Sequence, residues 1–229
     1  MRLGIFGGTF NPVHYGHLRV AEEARFKNAL DKVIFIPSGS PPIKTSELAD
    51  ASLRYLMTRL ATASNPDFIL SDIELRQTGK SYTVNTIQRL REIYTGDELF
   101  LILGIDAFLD MAVWRQPEKI ISIVDFIVVT RPGFDIPDVF KSPYIVQEPA
   151  FSANIKEKSQ EFFATKSYKV SFRLISGRSL TLLNITPIGI SSTDIRGLVM
   201  DGKSIKYLLP EKVERFIYEH NIYGEKKIV

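Results

Sequence analysis

The 229-residue chain predicts a doubly wound α/β fold, built on a parallel sheet and completed by C-terminal helices. Three observations carry this expectation. Short apolar runs alternate with segments that have helical spacing. The runs are solidly apolar rather than alternating, as strands covered on both faces must be. Most of them end in turns rich in glycine or proline. Ligands in such sheets bind beyond the carboxyl ends of the strands.

The first run, at 3–6, stops at Gly7 and Gly8, and the stretch 18–26, with Ala21, Glu22, Glu23 and Ala24, suits a helix. KVIFI at 32–36 is β-branched and apolar and ends in the Pro- and Ser-rich loop 37–42. Leu53, Leu56, Met57 and Leu60 stand at helical spacing and place a helix over 51–63. Further strands are expected at 68–71, 99–103 (LFLIL) and 126–130 (FIVVT), with helices over 82–94 and near 117–123. The segment 134–178 is the least legible; a helix over 154–163 and a strand over 168–175 are expected there, and no chemistry. Ser192 reads as the N-cap of a helix closed by Gly202, and Pro210 opens a last helix through His220. One domain over 1–229 is expected, helical in its C-terminal part, 192–229.

Composition limits the function classes. Lys and Arg number 29 against 26 Asp and Glu, a net charge of +3, and the basic residues are spread along the chain, which argues against a nucleic-acid partner. With no cysteine, disulfides, thiolate metal sites and cysteine nucleophiles are excluded. No apolar run approaches the ~18 residues that span a bilayer, and MRLGIFGGTF has no secretory pattern, so a cytoplasmic protein without membrane contact is expected.

The string GGTFNPVHYGH at 7–17 joins the first strand to the first helix. Gly7 and Gly8 let the backbone approach a ligand, and the helix start offers N–H groups and a positive dipole end to phosphate. His14 and His17, three apart, can present both rings on one side as donors. A plain glycine turn with two incidental histidines is the competing reading, and the eleven-residue string as a whole favours phosphate. ISSTDIR at 190–196 repeats the logic, since the hydroxyls of Ser192 and Thr193, the helix N–H groups and the Arg196 guanidinium can converge on a triphosphate. An ordinary capping box explains Ser192 equally well. Asp106, after LFLIL and Gly104, is placed to accept from a ribose or to cap a helix. His220 carries no motif.

His14-Tyr15-Gly16-His17 with ISSTDIR resembles the nucleotidyltransferase superfamily marked by H-x-G-H. Over nearly the whole chain the likeness is to bacterial nicotinate-nucleotide adenylyltransferases: GGTFNPVHYGHL, IPSGSPPIK, SYTVNT, GIDAF, WRQPEKI, VVTRPG, ISSTDIR and YLLPEKVERFIYEHNIYG fall in order and spacing. Asn11 stands where the family often has Asp, and Ile43 where a His commonly precedes the basic residue. The resemblance implies a Rossmann-like nucleotidyltransferase fold. It also implies transfer of AMP from ATP, accompanied by Mg²⁺, to nicotinate mononucleotide by direct in-line attack; the sequence itself identifies no dedicated protein metal site. His14, His17, Lys44 and Arg196 would hold the reacting phosphates. Gly7, Gly8, Thr9, Phe10, Gly16, Gly104, Asp106, Arg131, Ser192 and Thr193 would bind ATP, with a surface role open for Arg131. Thr83 would meet the nicotinate carboxylate and Trp114, flanked by Arg115, would stack on the pyridine ring. A helix-start threonine and a core tryptophan beside Met111 and Val113 are the plainer readings of the first two. A phosphopantetheine adenylyltransferase, another adenylyl- or cytidylyltransferase, and a non-catalytic nucleotide sensor are the alternatives.

Overall fold

The computed structural model describes residues 1–42, 48–130, 133–134, 136–147, 162 and 169–224; the helix expected over 154–163 lies outside them apart from Phe162. Strands β1 (Arg2–Gly8), β2 (Lys32–Pro37), β3 (Phe68–Leu70), β4 (Glu98–Gly104), β5 (Asp125–Val129), β6 (Lys169–Arg173) and β7 (Ser179–Leu183) form one sheet in the order β3-β2-β1-β4-β5-β7-β6. All neighbours pair in parallel except β6 and β7, which form an antiparallel hairpin at one edge. The doubly wound parallel sheet expected from the sequence is present, with that one antiparallel edge pair added; the strand β7 carries no clear signal in the sequence. The order reverses between β1 and β4, so the switch point lies at the Gly7–Gly8 turn and Gly104, where such sheets bind ligands.

Helices α1 (Tyr15–Lys27), α2 (Ala51–Thr62), α6 (Ser192–Met200) and α7 (Glu211–Glu219) cover one face. Helices α3 (Thr83–Ile93), α4 (Ile105–Leu109) and α5 (Pro117–Ile123) cover the other. This explains the solid apolar runs. Leu3 and Ile5, Ile34 and Ile36, Leu101 and Leu103 go to the α3 side, while Phe6, Val33, Phe35, Ile102, Ile127 and Val129 go to the α1 side. Successive residues point to opposite faces, so both faces need apolar side chains, each contributing roughly 1.5–3 kcal/mol. Gly4 suits the close packing on the α1 side, where a Cβ would lie 2.8 Å from Ile102 Cδ1 and 2.9 Å from Leu30 Cδ1 and those side-chain ends would have to shift.

Helix α1 is fixed by a buried charge cluster. Glu23, 3% exposed, accepts from Arg19 Nε at 2.6 Å and from the Thr186 N–H at 3.0 Å, and pairs with Lys27 Nζ at 2.6 Å, tying α1 to the segment between β7 and α6. Burial alone would raise its carboxyl, but the hydrogen bonds from Lys27, Thr186 and Arg19 outweigh that and hold it down to about 2. A carboxyl that binds its proton more readily unfolded than folded stabilises above the unfolded value, and the gain is lost as pH falls through the folded one. The ionisation of Glu23 therefore contributes roughly 3 kcal/mol at neutral pH, fading below about pH 4.5. Urea unfolding of the unmodified chain and Glu23→Gln across pH should show a gap that is constant near neutrality and closes toward acid. A gap that widened there would reverse the assignment.

Candidate phosphate-binding and acceptor site

The turn after β1 and the start of α1 make the first wall. His14 is the N-cap of α1 in extended backbone (φ −148°, ψ 173°), so the helix begins at Tyr15, three residues before the position that composition suggested. The His14 N–H donates to His17 Nδ1 at 3.3 Å, and the two rings lie 3.8 Å apart between centroids, tilted by 34°. An accepting Nδ1 puts the neutral His17 proton on Nε2, the donor that a phosphate oxygen needs. Gly16 permits the arrangement: a Cβ there would lie 2.9 Å from Cε1 and Nδ1 of His14. Phe10 is 2% exposed, with φ of 47°, and its ring stands edge-on to His17 at 5.1 Å and packs on Phe6 and Phe35. Its side chain supports His17 from the core and does not face the cleft.

Helix α6 closes on this loop from behind. The cap is Ser191, not Ser192: Ser191 is extended (φ −121°, ψ 148°) and its hydroxyl accepts from the Asp194 N–H at 3.1 Å. That frees Ser192 Oγ to donate to Pro12 O at 2.8 Å, while Arg196 Nη1 donates to Asn11 O at 3.0 Å. Arg196 Nη2 lies 3.5 Å from the hydroxyl of the exposed Thr193. Asn11, 5% exposed, accepts at Oδ1 from the Ala49 N–H at 3.1 Å and from Tyr223 Oη at 2.7 Å. Burial pushes the Tyr223 hydroxyl up, against the opposing pull of the Arg196 and Arg54 cations.

An open cleft of about 690 Å³, its mouth included, lies where β1, β2 and β4 meet α3. Gly7, Gly8 and Thr9 line it, and a Cβ on Gly7 would meet nothing within 4 Å. Thr83, the first residue of α3, and Trp114 line it too. Trp114 thus faces a cavity as well as the core, while Val113 beside it is 86% exposed. The Arg115 guanidinium stacks 4.6 Å over the ring of Tyr82, the residue that caps α3. Asp106 is in the first turn of α4, and Gly104, not Asp106, holds the cap position. Lys44, with Ile43, and Arg131 lie outside the described residues. Ser81, Thr86 and Glu74 line the cleft without having been singled out; Thr86 Oγ1 donates to Glu74 Oε1 at 2.6 Å. SYTVNT pointed at the two hydroxyls, whereas Glu74 carries no sequence signal. Among the described residues no cluster of three or more His, Cys, Asp or Glu side chains suits a metal, and no helix is long and apolar enough to cross a membrane.

A reversed strand order, a glycine turn and two converging helix starts at the switch point define a nucleotide-binding α/β protein. The description of the cytidylyltransferase-like family matches residues 5–198. Probable nicotinate-nucleotide adenylyltransferases of Geobacter metallireducens and Geobacter sulfurreducens are each 45% identical, covering 97% and 98% of this chain and 98% and 99% of their own. The chain belongs to the cytidylyltransferase-like family and, within it, to the family of nicotinate-nucleotide adenylyltransferases. The fold is shared with Plasmodium falciparum nicotinic acid mononucleotide adenylyltransferase complexed with NaAD, at a TM-score of 0.70 and 18% identity over 97% of both chains.

Proposed function

We propose that this chain, acting as a single domain in the cytoplasm, transfers AMP from ATP to nicotinate mononucleotide. A phosphate oxygen of the mononucleotide attacks the α-phosphorus, a new P–O–P bond forms, the bond to the β-phosphate breaks, and pyrophosphate leaves with the electron pair. A phosphate monoester is ionised near neutral pH, so no side-chain base is needed, and catalysis reduces to positioning and charge neutralisation. The observation that carries the reading is the stacked His14–His17 pair at the start of α1, reached through the Gly7–Thr9 turn that lines a cleft together with Thr83 and Trp114. The names of the full-length relatives support it.

In this reading His14, His17, Lys44 and Arg196 meet the reacting phosphates. Gly7, Gly8, Thr9 and the α6 start with Ser192 and Thr193 receive the triphosphate. Asp106 and Gly104 take the adenosine side, with Arg131 nearby in sequence after β5. Thr83, Trp114 and Arg115 hold the acceptor. Mg²⁺ enters with ATP as part of the substrate. Pyrophosphate release, followed with ATP and a panel of acceptors, tests the whole: release with nicotinate mononucleotide is expected. Release only with another acceptor, or nucleotide binding without release, sinks the assignment.

Gly16→Ala gives a sharper check. Alanine favours a helix interior by up to about 1 kcal/mol over glycine, but Gly16 stands in the first turn of α1 and its new Cβ must push the buried His14 ring aside, so the melting temperature should fall modestly while the chain still folds. Turnover should fall by about tenfold, since the new Cβ displaces the His14 ring. Full activity in a folded variant would show that the ring position is unimportant.

A further inference from the structure

Arg54, in the first turn of α2, is 1% exposed and heads the fully buried large side chains. Burying a guanidinium is costly unless its donors are satisfied, and a carboxylate is the usual companion. Here the partners are three backbone carbonyls. Nε donates to Ala49 O at 3.0 Å, Nη1 to Thr9 O at 2.7 Å and Nη2 to Gly39 O at 3.4 Å. Burial pushes the guanidinium below the ordinary arginine value, opposed by the Tyr223 hydroxyl and the Glu74 and Asp50 carboxylates.

The three acceptors belong to different segments. Thr9 lies between the glycine turn and His14 and lines the cleft; Gly39 lies in the loop after β2, whose Ser38, Pro41 and Pro42 form the opposite rim. Ala49 precedes α2 and passes its own N–H to Asn11 Oδ1. One planar fork thus ties both rims together from beneath, a geometry that a single ammonium lacks. The same loop is held at Asn11 O by Arg196 and at Pro12 O by Ser192, so the carbonyls of residues 9, 11 and 12 are all engaged by side chains from α2 and α6.

We propose that Arg54 is a positioning residue for adenylyl transfer: its guanidinium, seated on the carbonyls of Thr9, Gly39 and Ala49, sets the spacing of the two loops between which the phosphates react. This rests on the adenylyltransferase reading of the cleft. Arg54 acts through the loop that carries His14 and His17, so its loss should register in kcat more than in either KM. Arg54→Lys keeps the charge and the apolar stem but not the fork; Arg54→Gln removes the charge and with it the burden of burying one. Steady-state pyrophosphate release with ATP and nicotinate mononucleotide is measured beside circular dichroism and thermal melts. Both variants should melt cooperatively, with kcat per folded molecule down by about tenfold or more and much smaller changes in both Michaelis constants. Normal kcat per folded molecule in Arg54→Lys, or a deficit accounted for by the unfolded fraction, overturns the proposal. A rise in the KM for ATP with kcat unchanged does the same, because it makes Arg54 a source of binding charge and not of loop geometry. If the unmodified chain released no pyrophosphate with any acceptor, the reaction assignment itself would fall, and this proposal with it.

Discussion

Replacing His17 with alanine is expected to lower turnover by on the order of 10²-fold or more while leaving the fold intact, the size seen when a preorganised donor to developing phosphoryl charge is removed. Aromatic neighbours and a hydrogen bond hold this ring. His14 stacks on it at 3.8 Å, Phe10 meets it edge-on at 5.1 Å, and the His14 N–H donates to its Nδ1. The tie is a long hydrogen bond, at 3.3 Å, and neutral bonds contribute only about 0.5–1.5 kcal/mol net, so stability should fall modestly. The ring is half-buried rather than sealed in the core, so its removal leaves no large cavity. The deficit therefore belongs in kcat. A purified His17→Ala variant that bound both substrates and kept near-normal turnover would remove His17 from the mechanism.

The sequence exposed the parts of this molecule whose physics is local. β1, β2, β4 and β5 were legible because burial on both faces leaves no polar residue inside the run. The glycine turn was legible because Gly8 and Gly16 do their work against Phe10 and His14, two residues away, and Gly7 opens onto the cleft. The β6–β7 hairpin was only half legible. Leu180, Leu182 and Leu183 are buried but interrupted by Thr181, and what makes them a strand is pairing with β5, more than fifty residues earlier. Arg54 and Tyr223 were invisible for the same reason. Arg54 looks like any charged residue on an amphipathic helix until Thr9 and Gly39 are brought to it, and Tyr223 meets Asn11 across 212 positions. Ser191 and Ser192 show the limit at short range. Two adjacent serines offer two caps, and only the extended backbone of Ser191 decides between them.

Nicotinate mononucleotide should be preferred to its amide counterpart by roughly 10- to 100-fold in specificity constant, and Thr83 should carry much of the difference. Thr83 is the first residue of α3 and lines the cleft with Trp114, so a ligand there meets a hydroxyl and the positive end of the helix dipole. Arg115, over the Tyr82 ring, adds a cation beside the same helix start. A carboxylate offers acceptors on both oxygens to these donors, whereas an amide turns an NH₂ group toward them. Hydrogen bonds to a charged group contribute about 1.5–3 kcal/mol against about 0.5–1.5 for neutral ones, and ~1.4 kcal/mol is tenfold. Glu74 works the other way, since a carboxylate on the cleft wall disfavours a second anion; its Oε1 is engaged by Thr86, one turn into α3. Two favourable contacts against one screened repulsion leave the preference with the acid. Both rings are pyridinium, so stacking on Trp114 does not discriminate. Trp114→Ala should therefore weaken both acceptors together, while Thr83→Ala should narrow the ratio between them. Equal specificity constants for the two mononucleotides in the unmodified enzyme would remove the carboxylate from the start of α3 and leave the adenylyl transfer itself standing.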